Sequence, residues 1–207
     1  MSAAELAARE RSELCDLMLE LGPDAPTLDT GWTVIDLAAH LVAREHDIWA
    51  TPGLVWGGAF AAVMEAARKR RRRKSLDKLV GAIRKGPPIW WRPVPAGLQL
   101  HEYYIHHEDV RRANGRGPRA DRPDLDRTLT RLVRNSAPAY LRNVPVGVEL
   151  VVEGETIYTH GPEPRARLDG PPGDLVLYLT GRRSAAQVAL GGDPGAASTL
   201  AEAPLAI

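Results

Sequence analysis

The chain has 207 residues, 44% of them apolar and 26% charged, with a net charge of +1. That length suits one large domain or two small ones, and the apolar share is enough to bury a core. The balanced charge argues against bulk attraction to nucleic acid or to an anionic membrane as the main activity. No apolar run approaches the roughly eighteen residues that cross a bilayer. The N-terminal stretch MSAAELAARERSELC is charged from the start and has no signal-peptide core, so the cytoplasm is the expected location. Cys15 is the single cysteine, which allows no internal disulfide and fits a reducing compartment. It sits at helical core spacing with Leu14, Leu17, Met18 and Leu21 and reads as a packing residue.

A first helix is expected from Ser2 to Leu21. Ser2 and Glu5 can form a capping box, and Gly22 stops the helix. A loop, GPDAPTLDTG, leads to WTVIDLAAHLVAREHDIW, where Thr33 can cap and Val34, Leu37, Ala38 and Leu41 make an apolar stripe. Residues 55–70 read as helix, and Ser75 can cap another over LDKLVGAIRK, ended by the GPP at 86–88. IWWRPVPAG is expected to be extended because of its prolines. HEYYIHHEDVRRAN is helical and stops at Asn114-Gly115. A further helix begins after Pro123 and runs to about Leu141, with a kink or an early end at Pro138.

Near 143 the texture changes. VGVELVVEGETIYTHG predicts two strands joined by a tight Glu-Gly-Glu turn. GPEPRARLDGPPGD is turn-rich. DLVLYLTGR suits either a buried helix or a strand, and AAQVALGGD reads as a last strand. The expected fold class is α+β, with a helical bundle over residues 1–142 and a small α/β domain over residues 143–207.

The segment 101–113, HEYYIHHEDVRRA, carries most of the chemistry. Positions three, four and seven apart share one face of a helix, so Glu102, His106 and Asp109 align. A carboxylate and an imidazole one turn apart can converge on one cation, of the zinc, nickel, iron or manganese kind. Two ligands are too few, and a third has to come from another helix of the bundle. His40 is the best donor, since it lies beside the apolar stripe of the second helix. Asp36, one turn earlier, either orients His40 or caps its helix. Asp109 can accept a hydrogen bond from His106. Set against this, an ExxxH pair alone is as compatible with a solvated or hydrogen-bonded helix face. His46, His101, His107 and His160 are expected to be structural or exposed. Trp90, Trp91, Tyr103 and Tyr104 either fill the core or line a pocket.

WTVIDLAAHL, followed by ExxxHxxD about sixty residues later, resembles the mycothiol-dependent maleylpyruvate isomerase family, within the broader DinB-like metal-binding bundles. GDLVLYLTGRRSAAQVAL resembles a segment of that family's small C-terminal lobe. The resemblance covers nearly the whole chain. RKGPPIWW and HEYYIHHEDVRRANG are similar to an actinobacterial branch distinct from the isomerase itself. The resemblance implies an up-and-down N-terminal bundle that binds a divalent metal, zinc first among the candidates. It places the ligands on His40, Glu102 and His106, with positions left open for water or a thiolate. It also implies mycothiol as cosubstrate and a small electrophile as substrate, in a thiol transfer or an isomerisation. Arg182 and Arg183 are then candidates to bind the thiol. No catalytic residue is assigned.

Two rival readings accompany this one. The first is a non-catalytic metal- or ligand-binding protein on the same bundle. The second uses the basic run RKRRRRK at 68–74 to grip nucleic-acid phosphates. No interleaved aromatics and no recognised motif surround that run, so a solvated helix end is expected there.

Overall fold

The structure, a computed structural model, describes residues 1–46, 59–91, 93–119 and 121–205. The expected helical residues 47–49 and 55–58 lie outside these. The chain divides into two compact units, Ser2–Gly117 and Pro118–Ile207, the latter together with Met1.

The first unit is helical. Helix α1 (Ala3–Leu21) starts at the predicted box, where the Ser2 hydroxyl accepts from the Glu5 amide at 3.3 Å and the Glu5 carboxylate accepts from the Ser2 amide at 2.7 Å. Gly22 ends it at a φ of 84°, a conformation that only glycine adopts without strain. Helix α2 (Val34–His46) begins where the Thr33 amide and hydroxyl donate to Asp36 at 3.3 and 3.0 Å. Helix α3 (Ala59–Arg71) ends within the basic run, and α4 (Leu76–Lys85) follows and stops at Gly86. Ser75 has the extended backbone of a cap residue without the side-chain hydrogen bond. Helix α5 (Ala96–Ala113) begins five residues before the sequence suggests. The stretch expected to be extended instead makes a 3₁₀ turn at Ile89–Trp91, and Pro95 sits at the cap of α5, where its missing N–H costs nothing. Helix α1 packs on α4 and α5, while α2 packs on α3 and α4. Their shared core holds Leu14, Met18, Leu37, Leu41, Leu79, Ile83 and Tyr103, each at most 1% exposed.

The second unit opens with α6 (Pro123–Leu141), which stays helical through Pro138. The change of texture at 143 falls inside this unit, because α6 packs on the elements that follow it. Strands β1 (Gly147–Val152) and β2 (Glu155–His160) form the predicted hairpin. The turn-rich segment contains a strand that the sequence reading did not find, β3 (Arg165–Asp169). The sheet order is β2-β1-β3-β4, with β1 and β3 parallel and the outer pairs antiparallel. DLVLYL resolves as helix α7 (Pro172–Leu179), buried on all sides, which is why its apolar run showed no period. Strand β4 (Ala189–Gly192) is not the last element. Helix α8 (Pro194–Glu202) follows, capped by Asp193, whose carboxylate accepts from the Ala196 amide at 2.8 Å. Among the described residues no helix is long and apolar enough to cross a membrane.

Candidate metal centre

His106 organises the site. Its Nδ1 lies 3.0 Å from Asp109 Oδ2, and Asp109 is fully buried. A carboxylate on Nδ1 fixes the tautomer with the proton there, leaving the Nε2 lone pair exposed to a ligand. Nε2 faces Glu102 Oε2 at 3.7 Å, as spacing on one helical face requires. His40 of α2 reaches the same place, its ring edge-on to His106 with centroids 5.3 Å apart. The Trp32 ring closes His40 from the other side at 5.3 Å. His40 and Glu102 thus each adjoin His106, although His40 and Glu102 are about sixty residues apart in the chain, but the three do not bring one ligand atom each within 4.8 Å of one another.

The electrostatics suit cation binding. Burial, reinforced by His106, pushes the His40 imidazole down to about 3, so the ring is neutral and its lone pair is available at ordinary pH. Burial would raise the Glu102 carboxyl, but Arg44, followed by His106 and His40, outweighs it and holds the group ionised. The donor set is thus two imidazoles, that of His40 neutral, and one carboxylate, a composition that fits a divalent ion with open positions.

Two tighter groups of potential ligands occur among the described residues, each with its ligand atoms within 4.8 Å of one another. Asp29, His106 and Asp109 form one and share His106 with the predicted set. The loop bearing Asp29 is tied to α5, since the Leu28 amide donates to the Asp109 carbonyl at 3.1 Å and Asn114 donates to the Pro26 carbonyl at 3.0 Å. Glu10, Glu13 and His107 form the other, where His107 Nδ1 lies 2.9 Å from Glu10 Oε2. His107 is 3% exposed and Glu10 1%, so the histidine expected to be structural or exposed makes a buried hydrogen bond with a carboxylate that joins α1 to α5.

The other sequence candidates fall out differently. Asp36 does not turn to His40. One oxygen takes Thr33, and the other is held by Arg68 and by Arg72 at 2.7 Å. Asp36 therefore fastens the basic helix to α2 as well as capping it. Arg68 also stacks on Trp32 at 4.7 Å and pairs with Glu65. The run at 68–74 is accordingly not a wholly solvated face. Tyr103 donates a short hydrogen bond to Glu45, and Tyr103 and Trp91 are buried core residues, whereas Trp90 is half exposed. Burial pushes the Cys15 thiol up to about 11, as expected of a packing residue. Arg182 donates to the Thr180 carbonyl at 2.8 Å, and Arg183 donates to the Ala201 carbonyl at 2.6 Å and stacks on Tyr178. Both thus make backbone contacts within the second unit.

Sequence reasoning missed Arg44. It is 4% exposed, its Nε lies 3.4 Å from Glu102 Oε2, and its guanidinium covers the Trp91 ring at 5.4 Å. The signal was present, since Arg44 stands one turn after His40 on the same helical face.

No protein-family profile matches the chain, and no curated protein matches it. Two solved structures do. The crystal structures of the mycothiol-dependent maleylpyruvate isomerase and of its histidine-to-alanine mutant each match over 91% of both chains, with a TM-score of 0.63 and 16% identity. The chain therefore has the fold of that enzyme, as the resemblance implied.

Proposed function

We propose that this chain binds a divalent cation, zinc first, through His40, Glu102 and His106, and uses a thiol of the mycothiol kind to act on a small electrophile by thiol transfer or isomerisation. The observation that carries the reading is His40, a neutral imidazole walled in by Trp32 and facing His106 and an ionised Glu102. A neutral imidazole, a second whose tautomer is fixed by Asp109, and one carboxylate form a donor set that a divalent ion would satisfy. The shared fold with a mycothiol-dependent isomerase supports the choice of thiol.

A bound cation supplies Lewis acidity, which favours the thiolate form of a thiol near neutral pH. The remaining work belongs to the protein. Asp109 holds the His106 proton on Nδ1, Trp32 shields the His40 edge from water, and Glu102 keeps one negative charge in the site. Loss of any of these loosens a geometry that chemistry needs to within a fraction of an ångström.

The test is an assay of zinc-supplied protein with mycothiol and a panel of small electrophiles, maleylpyruvate included. Mycothiol-dependent consumption of one of them, lost in His40→Ala, supports the reading. Zinc binding with no thiol-dependent turnover of any electrophile would contradict the enzymatic part and favour a binding role. Phosphate gripping by the basic run gains nothing from the structure, because Arg68 and Arg72 are engaged by Asp36.

A further inference from the structure

Arg44 does not look like a passive neighbour of the site. Its Nε lies 3.4 Å from Glu102 Oε2, and His106 Nε2 lies 3.7 Å from that same oxygen. The carboxylate oxygen nearest His106 is thus also the one paired with the guanidinium, by charge and without a hydrogen bond from Nε. Arg44 cannot give up its proton in a protein. Nor is it free to swing away, since it is 4% exposed and lies over Trp91, itself 1% exposed. The 3₁₀ turn at Ile89–Trp91 therefore sets the position of a charge one turn from His40.

We propose that Arg44 is a positioning residue that competes with the metal for Glu102. It neutralises the carboxylate in the metal-free site and stays beside it when the cation enters. This proposal rests on the metal reading above. Two consequences follow from Coulomb's law in a poorly screened site. The first is a weakened affinity, because a fixed cation stands close to an incoming divalent one. By linkage the effect is reciprocal, so the metal loosens the arginine pair by the same factor. The second is an electron-poorer ion, because the carboxylate shares its charge with the guanidinium. Such an ion favours an anionic ligand such as a thiolate in the open position. Arg44 thereby exchanges tight binding for stronger activation of what the metal holds.

The test compares wild type with Arg44→Met and Arg44→Lys, using zinc and cobalt(II) as probes. Affinities are read by competition with a chromophoric chelator, and the cobalt absorption spectrum reports the ligand set. Arg44→Met should bind metal roughly tenfold more tightly or better, with the same cobalt spectrum. Arg44→Lys keeps the charge and should stay within about threefold of wild type. A merely structural role for Arg44 would lower affinity in Arg44→Met or leave it unchanged. Either result overturns the proposal while leaving the metal site intact, provided wild type binds. Tighter binding in Arg44→Met when wild type binds feebly supports it. If neither protein binds, the metal reading itself falls and the proposal with it. Should Arg44→Met not fold, Arg44→Gln provides the same neutral comparison.

Discussion

Replacing Asp36 with asparagine tests the electrostatic clasp that joins the basic run to the bundle. Asp36 is 5% exposed and accepts from Thr33 on one oxygen while holding Arg68 and Arg72 on the other. Removing one partner of a buried ion pair costs about 3–5 kcal/mol when it strands the other charge. Here the cost is reduced. Arg68 keeps Glu65 and the Trp32 face, and the Arg72 side chain is 50% exposed and contributes little. Asparagine also retains an oxygen for Thr33. The expected loss is therefore about 2–3 kcal/mol, read by urea unfolding at pH 7. A double-mutant cycle with Arg68→Met should give a coupling of about 1 kcal/mol or more. Changing Lys69, Arg73 and Lys74 together to glutamine should shift stability by no more than about 0.5 kcal/mol each. An Asp36→Asn protein as stable as wild type, or a coupling near zero, would refute the clasp. The basic run would then be a solvated appendage again, open to other uses.

Two other predictions concern protons and a second buried pair. His40 is held near 3 in the fold, against 6.5 ordinarily, so below about pH 6.5 the unfolded chain binds a proton that the folded one does not. Stability of the metal-free protein should consequently be fully present above pH 6.5 and fall as pH drops from there toward 3. In His40→Gln this slope should be flatter, as thermal unfolding at several pH values would show. The Glu10–His107 pair links α1 to α5 away from the candidate centre, and His107→Ala should cost about 3 kcal/mol while leaving bound metal unchanged. Loss of metal in that variant would move the centre to Glu10, Glu13 and His107.

Much of the fold was legible where local chemistry decides the structure. Ser2 with Glu5, Gly22 and Gly86 act at short range, and the helices begin or end where those residues say. The hairpin at 147–160 was likewise announced by alternation around a tight turn. Failures came where the deciding partner is remote. Helix α7 is apolar all round because neighbours cover every face, so its sequence has no period to read. Strand β3 does alternate, with Ala166 and Leu168 buried between half-buried Arg165, Arg167 and Asp169, but the glycines and prolines around it hide five residues of pattern. The Asp193-Pro194-Gly195 start of α8 was a readable cap and first-turn signal that was passed over.

The site followed the same rule. Glu102, His106 and Asp109 lie on one helical face and were readable from spacing, and Asp109 does hold His106. That His40 belongs beside them came from the resemblance and from its place next to an apolar stripe. Asp36 was assigned by proximity in sequence, and the fold gave it to arginines about thirty residues away that no spacing rule could pair with it. Arg44 escaped notice because arginine at a helix face ordinarily signals solvent, and only the Trp91 ring and Glu102 make its burial tolerable.

The central claim is the cation at His40, Glu102 and His106. Metal content of untagged protein by mass spectrometry, for wild type and for His40→Ala, Glu102→Ala and His106→Ala, tests it most directly. The account predicts close to one equivalent of a divalent metal in wild type and its loss in all three variants, each still folded by circular dichroism. A wild type that retains no metal after divalent ions are supplied and the excess removed would contradict it, and the two histidines would then be structural.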